Sequence, residues 1–255
     1  MKKSELVKYF NKLYNYKNQE EWDCCGPNYF NDNEVNNIYC SLDITDQIID
    51  NAIKKNCNVI ITHHPILVDE LDFNNKINIQ NKKLQEKLIN NNILHICLHT
   101  CFDRYILGTS YQIFQSFNIN SNLIKESKWL MDYIYYFEFK EQILLKDLVN
   151  IINNEYTRPI SYIKEQENEL IRKVGIGAGS CSSMLNEIIN KVDVFLTGDI
   201  KWHTYLDAYN LKLKIININH YSESVFVDYI SSNIENKFHI KCIKNKKTIN
   251  IVNLI

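Results

Sequence analysis

The sequence predicts an α/β protein built of two interlocked α/β lobes, each with the order β-α-β-α-β. Three observations lead to this fold class. Short β-branched runs alternate with segments whose apolar residues recur at the helical period. That order occurs twice along the 255 residues. Histidines follow the predicted strands in both halves, which is where α/β sheets bind ligands.

The predicted elements of the first half are strand 38–44, helix 45–55, strand 58–62, helix 81–91 and strand 93–98. The helix over 45–55 is predicted because its four apolar residues between Ile48 and Ile53 fall on one face. The run 58–62 is short and β-branched, as expected of a buried parallel strand. This half therefore reads as a complete β-α-β-α-β series.

The predicted elements of the second half are strand 171–176, helix 182–191, strand 192–196, helix 201–209, strand 213–218 and helix 224–234. Between the halves, the alternating aromatic run 131–140 predicts an antiparallel or edge strand, with a helix over 144–154 after it. The β-rich runs 238–243 and 248–255 predict a terminal hairpin. We place the boundary near residue 125, which gives an N-terminal lobe 1–125 and a C-terminal lobe 126–255.

Composition narrows the class of protein. The net charge of −1 disfavours a protein that binds nucleic acid through a broad basic field. No apolar run approaches the ~18 residues of a membrane span, and the first residues contain no apolar signal-peptide core. The eight cysteines form no C-x-x-C pair, so we expect reduced thiols in a cytoplasmic protein rather than a zinc ribbon or a disulfide framework.

Five of the seven histidines lie at or just after predicted strand ends: His63, His64, His99, His203 and His220. Because ligands bind beyond the carboxyl ends of strands in open α/β sheets, we expect these imidazoles to share one site in a cleft. His63 and His64 are adjacent and point in different directions, so each would hold one ion of a pair. The alternative is a solvent-facing pair on a loop.

Two carboxylates accompany these histidines. Asp103 follows His99 by four residues, a spacing that suits one metal ligand and one orienting partner; the alternative is a helix cap beside an uninvolved histidine. Glu223 follows His220 by three residues, and the alternative for it is the favourable field of a helix N-terminus. Together these segments supply the inventory of a dinuclear hydrolytic site, open to Zn, Fe, Mn, Co or Ni.

The glycine-rich stretch 175–180 follows a predicted strand and precedes a predicted helix. Its backbone N–H groups would suit a phosphate group at a helix N-terminus. The stretch lacks the full dinucleotide-binding fingerprint and any Gly-Lys-Ser/Thr. The alternative is a tight turn from strand to helix.

Seven segments match, in order, the motifs of one family. The matches are Glu21-Trp22-Asp23-Cys24-Cys25-Gly26 with WDNxG, Ser41-Leu42-Asp43-Ile44-Thr45 with LDxT, Ile61-Thr62-His63-His64-Pro65 with SHHP, His99-Thr100-Cys101-Phe102-Asp103 with HTNLD, Gly177-Ala178-Gly179-Ser180 with GGSG, Thr197-Gly198-Asp199 plus His203 with TGDxxxH, and Asn219-His220-Tyr221-Ser222-Glu223 with GHYxE. On these motifs the sequence resembles the Nif-three-like family, also described as GTP cyclohydrolase 1 type 2 homologs.

The resemblance implies two divalent metal ions per chain and a toroidal homohexamer whose metal sites face the central cavity. The family's ligand positions match His63, His64, Asp103, His220 and Glu223, and its site-lining positions, where catalytic proton transfer is expected, match His99 and His203. Cys24 and Cys101 stand where the family usually has Asn, and Asn219 replaces a Gly. Because every ligand position is retained, these departures bear on the substrate rather than on the metal.

The resemblance also implies an activity. A metal-bridged hydroxide would attack an electrophilic carbon of a nucleotide or a related small molecule, as in type 2 GTP cyclohydrolases. One alternative is a non-catalytic metal-binding or regulatory protein of the same family, because a shared fold does not fix a reaction. A second alternative is a ring protein associated with nucleic acid, which the neutral charge balance disfavours.

Overall fold

A computed structural model describes residues 1–29, 31–68, 72, 75–155 and 160–246. Its α-helices, numbered in chain order, are α1 (Lys3–Tyr14), α2 (Asp46–Lys54), α3 (Lys76–Asn90), α4 (Thr100–Asp103), α5 (Thr109–Ser116), α6 (Leu145–Glu155), α7 (Leu185–Ile188), α8 (Trp202–Asn210) and α9 (Val225–Phe238). Within these described ranges, no helix is long and apolar enough to cross a bilayer.

The strands are β1 (Gly26–Tyr29), β2 (Asn37–Ser41), β3 (Cys57–Thr62), β4 (Leu94–Cys97), β5 (Ile124–Met131), β6 (Ile134–Leu144), β7 (Ser161–Tyr162), β8 (Leu170–Gly177), β9 (Val194–Thr197), β10 (Lys214–Asn217) and β11 (Cys242–Asn245). They form two mixed sheets, so the predicted α/β fold with two lobes is confirmed. The second run of the expected terminal hairpin, 248–255, lies outside the described residues.

The first unit is built on a five-stranded sheet in the order β1-β4-β3-β2-β11. Its strands are parallel except β1, which is antiparallel to β4. β3 is central and almost wholly buried, which explains the β-branched run from Val59 to Thr62 within it. Thr45 caps α2 by accepting a hydrogen bond from the Ile48 N–H at 3.2 Å. The predicted inner face of α2 is buried except for Ile53, which is exposed.

One core of the first unit packs α1 and α9 against the sheet. Leu6 and Phe10 of α1 and Phe226 and Ile230 of α9 are wholly buried in it. The helix α1 lies outside the predicted elements, although its apolar residues recur at four-residue spacing. The two ends of the chain therefore contribute to the same core.

The second unit contains a six-stranded sheet in the order β5-β6-β8-β9-β10-β7. β8, β9 and β10 are parallel, and the other strands pair antiparallel. The aromatic run around β6 is antiparallel as predicted, but β6 lies inside the sheet, and β5 forms the edge. The helix predicted over 182–191 is shorter, because a 3₁₀ turn, Cys181–Met184, precedes the single turn of α7.

The compact units comprise residues 1–105 with 226–255, and residues 106–225. This division differs from the expected boundary near residue 125 in two respects. The first unit ends about 20 residues earlier, and the C-terminal segment returns to it. The return follows from β11, which pairs in parallel with β2, and from the apolar face of α9.

Candidate metal sites

His63 and His64 begin the turn at the carboxyl end of β3. The backbone N–H groups of both residues donate to the carbonyl of Leu42, at 3.1 and 3.0 Å. The His63 side chain is fully buried and that of His64 is 21% exposed. The pair is thus held by the fold, which argues against two solvent-facing histidines on a loop.

Three histidines of the first unit share one pattern of hydrogen bonding through Nδ1. The bonds run from His63 to the Leu98 carbonyl at 2.9 Å, from His64 to Asp43 Oδ1 at 2.6 Å, and from His99 to Asp23 Oδ1 at 3.0 Å. Carbonyl and carboxylate oxygens only accept, so each Nδ1 carries a proton, and in the neutral ring Nε2 then carries the lone pair. Histidines that bind metals are oriented in this way.

The same three histidines lie close enough together to hold one ion. His63, His64 and His99 each offer a nitrogen atom, and these atoms lie within 4.8 Å of one another. Asp103, at the end of α4, places Oδ1 3.6 Å from His63 Nε2. Imidazole nitrogen with a carboxylate oxygen suits Zn, Fe, Mn, Co or Ni. The residues of this group therefore fit a divalent transition metal.

Asp23 organises the start of α4 as well as His99. Its carboxylate accepts hydrogen bonds from His99 Nδ1, from the Thr100 N–H at 3.0 Å and from the Thr100 hydroxyl. Burial alone would raise the pKa of Asp23, but these hydrogen bonds outweigh it and hold the pKa well below its ordinary value. Burial likewise opposes charging of His99, yet Asp23 and Asp103 raise the pKa of that imidazole.

His220 and Glu223 lie on a 3₁₀ turn, His220–Ser224, in the second unit. His220 donates from Nδ1 to Asp199 Oδ2 at 2.6 Å, and its Nε2 lies 3.1 Å from Glu223 Oε2. The hydrogen bond to Asp199, followed by that to Glu223, raises the pKa of His220 to about 10 despite burial. Glu223 is buried, so it forms part of a paired group rather than a solvated first-turn carboxylate.

The glycine-rich stretch makes room for this pair. Gly179 has φ +56°, and a Cβ there would lie 2.3 Å from Glu223 Oε1. A Cβ at Gly198 would likewise lie only 2.8 Å from the carbonyl oxygen of Gly179. The stretch therefore forms a tight turn that packs closely against Glu223.

His203 lies in a different environment from His220. It is exposed in the first turn of α8 and lines an open cavity of about 550 Å³ with Ser182, Ser183 and Asp207. The side chain of His220 is instead held by Asp199 and Glu223. Among the predicted residues, the structure groups His63, His64, His99 and Asp103 in the first unit and pairs His220 with Glu223 in the second.

Sequence reasoning missed the three acids that orient these imidazoles. Asp23, Asp43 and Asp199 each accept a hydrogen bond from a histidine Nδ1. Each one lies within a segment that was matched to a family motif, so the signal was present. It was not assigned a role because the acids are 21 to 76 residues from their histidines in sequence.

Comparison with known proteins places the chain in a family. The profile of Duf34/NIF3 (NGG1p interacting factor 3) matches residues 1–250. The chain belongs to the NIF3 family. A relative from Ureaplasma parvum serovar 3, named GTP cyclohydrolase 1 type 2 homolog, is 31% identical across 100% of this chain and 97% of its own length.

Two further comparisons agree with this placement. A Helicobacter pylori protein named GTP cyclohydrolase 1 type 2 is 26% identical over 95% of this chain and 96% of its own. The crystal structure of a hypothetical protein of Staphylococcus aureus superposes with a TM-score of 0.83 at 22% identity, covering 99% of both chains. The second comparison shows that the chain has the same fold as that protein. The resemblance stated from the motifs is therefore confirmed.

Proposed function

We propose that this chain is a dinuclear divalent-metal-dependent hydrolase that acts on a nucleotide or a related small molecule. The observation that carries the proposal is the shared orientation of four imidazoles. In His63, His64, His99 and His220, Nδ1 donates to a fixed oxygen, so Nε2 is the nitrogen that can bind an ion or exchange a proton. The names of the relatives, GTP cyclohydrolase 1 type 2 and its homologs, supply the reaction class.

The proposal assigns two ions to His63, His64, Asp103, His220 and Glu223. Divalent ions held there would supply Lewis-acid chemistry and ionise water near neutral pH. The protein's own part is to orient these residues: Asp43 holds His64 and Asp199 holds His220. Asp23 holds His99 and the start of α4, the helix that ends at Asp103. His99 is proposed to move protons, because imidazole titrates near the working pH and its Nδ1 is fixed by Asp23. His203 is proposed to serve the substrate from the cavity that it lines.

Metal content and turnover test the proposal together. We expect chain purified without chelator or a histidine tag to carry about two transition-metal ions, measured by plasma mass spectrometry. GTP and other nucleotides are then offered to the metal-loaded protein, with the chelated protein as control. Metal binding without turnover of any nucleotide would favour the non-catalytic alternative. Absence of metal after incubation with Zn, Mn, Fe and Co would overturn both readings.

Assembly and location complete the proposal. The family resemblance supports a homohexamer, which light scattering after gel filtration would detect as a species of about six times the 30.2 kDa chain mass. A species of one chain mass would overturn it. A cytoplasmic location is also proposed, and imaging of a tagged chain would test it.

A further inference from the structure

A chain of three hydrogen bonds lies behind the histidine pair of the first unit. Asn28 Nδ2 lies 2.9 Å from His95 Nδ1, and His95 Nε2 lies 2.8 Å from Thr62 Oγ1. The Thr62 hydroxyl in turn donates to the backbone carbonyl of His64 at 2.7 Å. His95 and Thr62 are both fully buried. Neither Asn28 nor His95 belongs to the segments that identified the family.

The donor and acceptor of each of these hydrogen bonds follow from the last one, between Thr62 and the His64 carbonyl. A carbonyl oxygen only accepts, so the single hydroxyl hydrogen of Thr62 is committed to His64. The hydroxyl must then accept from His95, which places the ring proton on Nε2. A neutral imidazole has one N–H, so Nδ1 accepts from the Asn28 amide. Burial also lowers the pKa of His95, to about 3, in keeping with a neutral ring.

These three hydrogen bonds add to the contacts that fix the backbone of the two proposed ligands, His63 and His64. The N–H groups of His63 and His64 donate to Leu42, and the Cys97 thiol donates to the His63 carbonyl at 3.0 Å. The bond from Thr62 fixes the His64 carbonyl. Adjacent side chains point in different directions, so the peptide units around them set where the two Nε2 atoms lie relative to each other.

We propose that Asn28, His95 and Thr62 are positioning residues that fix the His63-His64 turn in the geometry needed to bind a divalent ion. The inference rests on the proposed metal site and assigns to these three residues the support of the backbone that carries His63 and His64. Ligand geometry must hold within about 0.5 Å and 10–20° for a site to function. Loss of a residue that orients a ligand typically lowers metal affinity 10–100-fold, and we expect an effect of that size here.

Thr62→Val tests the inference with little change of shape, because it replaces the hydroxyl by a methyl group. Thr62→Ser is the matched control, since it keeps the hydroxyl and loses the methyl. Co²⁺ is titrated into the metal-free full-length chain, and the visible absorption of the bound ion reports both affinity and coordination geometry. We expect Thr62→Val to bind Co²⁺ 10–100-fold more weakly with an altered spectrum. Thr62→Ser should stay within about threefold of wild type.

A second pair of variants changes His95, which contacts Thr62 rather than the histidine pair itself. His95→Gln keeps a side-chain N–H that can reach Thr62, and His95→Leu removes it. We expect His95→Leu to reproduce the altered Co²⁺ spectrum and His95→Gln to retain most of the affinity. This pair decides the matter if Thr62→Val fails to fold, which circular dichroism of each metal-free variant would show.

The outcomes separate this inference from the proposed function. If the wild-type chain binds no Co²⁺, the proposed metal-dependent function is wrong and the positioning role is overturned with it. If wild type binds Co²⁺ and both Thr62→Val and His95→Leu bind with unchanged affinity and spectrum, only the positioning role is overturned. A purely structural role would lower thermal stability in these variants without moving the spectrum of the bound ion.

Discussion

The two histidine groups of this protein solve the problem of orienting an imidazole in different ways. In the first unit, three imidazoles lie together and each is oriented by a separate oxygen. In the second unit, one imidazole is held between two carboxylates. The first group is rich in nitrogen ligands and the second in negative charge. The second group therefore keeps a proton on His220 that a bound metal would have to displace, whereas His63 donates from Nδ1 to a neutral backbone carbonyl.

Removal of a carboxylate ligand should have the largest effect on this comparison. We expect Glu223→Gln in the second unit, and Asp103→Asn in the first, each to lower the metal content by about one ion per chain. The variants remove the charge at nearly constant shape, so the fold should persist. Plasma mass spectrometry measures the ions, and Asp46→Asn, at an exposed position of α2, is the control. Full metal content in both ligand variants would show that these carboxylates are not ligands.

The next effect concerns an orienting acid. Asp23→Asn weakens the hydrogen bonds that hold His99 and the start of α4, the helix that ends at the proposed ligand Asp103. We therefore expect Zn²⁺ affinity to fall 10–100-fold. Because the Asp23 side chain is fully buried and accepts two bonds from Thr100, the free energy of unfolding should also fall by about 1–3 kcal/mol. Titration with a fluorescent zinc competitor measures the affinity and urea unfolding the stability. Unchanged Zn²⁺ affinity would remove Asp23 from the site.

A substitution at Gly179 tests the close packing of the turn against Glu223 in the second unit. Gly179→Ala would place a methyl group against Glu223 at a positive φ, which costs about 2 kcal/mol in strain and displacement. We expect a lower melting temperature and a shift of the His220 ring resonances in NMR spectra. Gly108→Ala is the matched control, because its φ of −70° is open to any residue. Equal behaviour of the two variants would contradict the close approach of Glu223.

The smallest effects are the pH dependences, which have opposite signs in the two units. The pKa of His95 falls to about 3 on folding, so the unfolded chain binds more protons below the ordinary value of 6.5. Its contribution to stability is therefore present above pH 6.5 and is lost at ~1.4 kcal/mol per pH unit as the pH falls. The pKa of His220 rises to about 10, so its contribution is present below pH 6.5 and is lost as the pH rises toward 10.

Urea unfolding of the chelated protein measures the pH dependence of stability that His95 and His220 each contribute. Relative to wild type, His95→Gln should flatten the loss of stability between pH 6.5 and 4.5. His220→Gln should flatten the loss between pH 7 and 10, by an amount reduced by solvent, because that side chain is 38% exposed. Parallel pH profiles for wild type and either variant would contradict the assigned protonation state of that histidine.

Sequence patterns predicted those parts of the fold whose burial is regular. β3 and the inner face of α2 were predicted because one is buried nearly throughout and the other on one stripe. The strand β5 was not predicted, because its Lys, Glu and Ser side chains lie at an exposed sheet edge and give no apolar alternation. The return of β11 to the first sheet depends on a pairing with β2 across about 200 residues, which no local pattern encodes.

For the candidate sites, the proposed ligands could be predicted from the sequence, but the residues that orient them could not. Histidines at strand ends pointed to the ligands, because the topology of α/β sheets gathers strand ends. The orienting acids depend on tertiary contacts, such as the one between Asp23 and His99 across 76 residues. His95 gave no signal at all, since a histidine inside a buried strand looks like an ordinary core residue until its two hydrogen bonds are seen.

The return of the C-terminal segment has a consequence for synthesis on the ribosome. Residues 106–225 form the second unit as one continuous stretch, so all its strands are available once that stretch has emerged. The first unit receives α9 and β11 only after the whole of the second unit has been synthesised. Until then Phe226 and Ile230 are missing from its core, and the edge of β2 that β11 covers is open to other strands. Domains that are encoded continuously fold as they emerge, so the half of the protein that is made first is the half that is completed last.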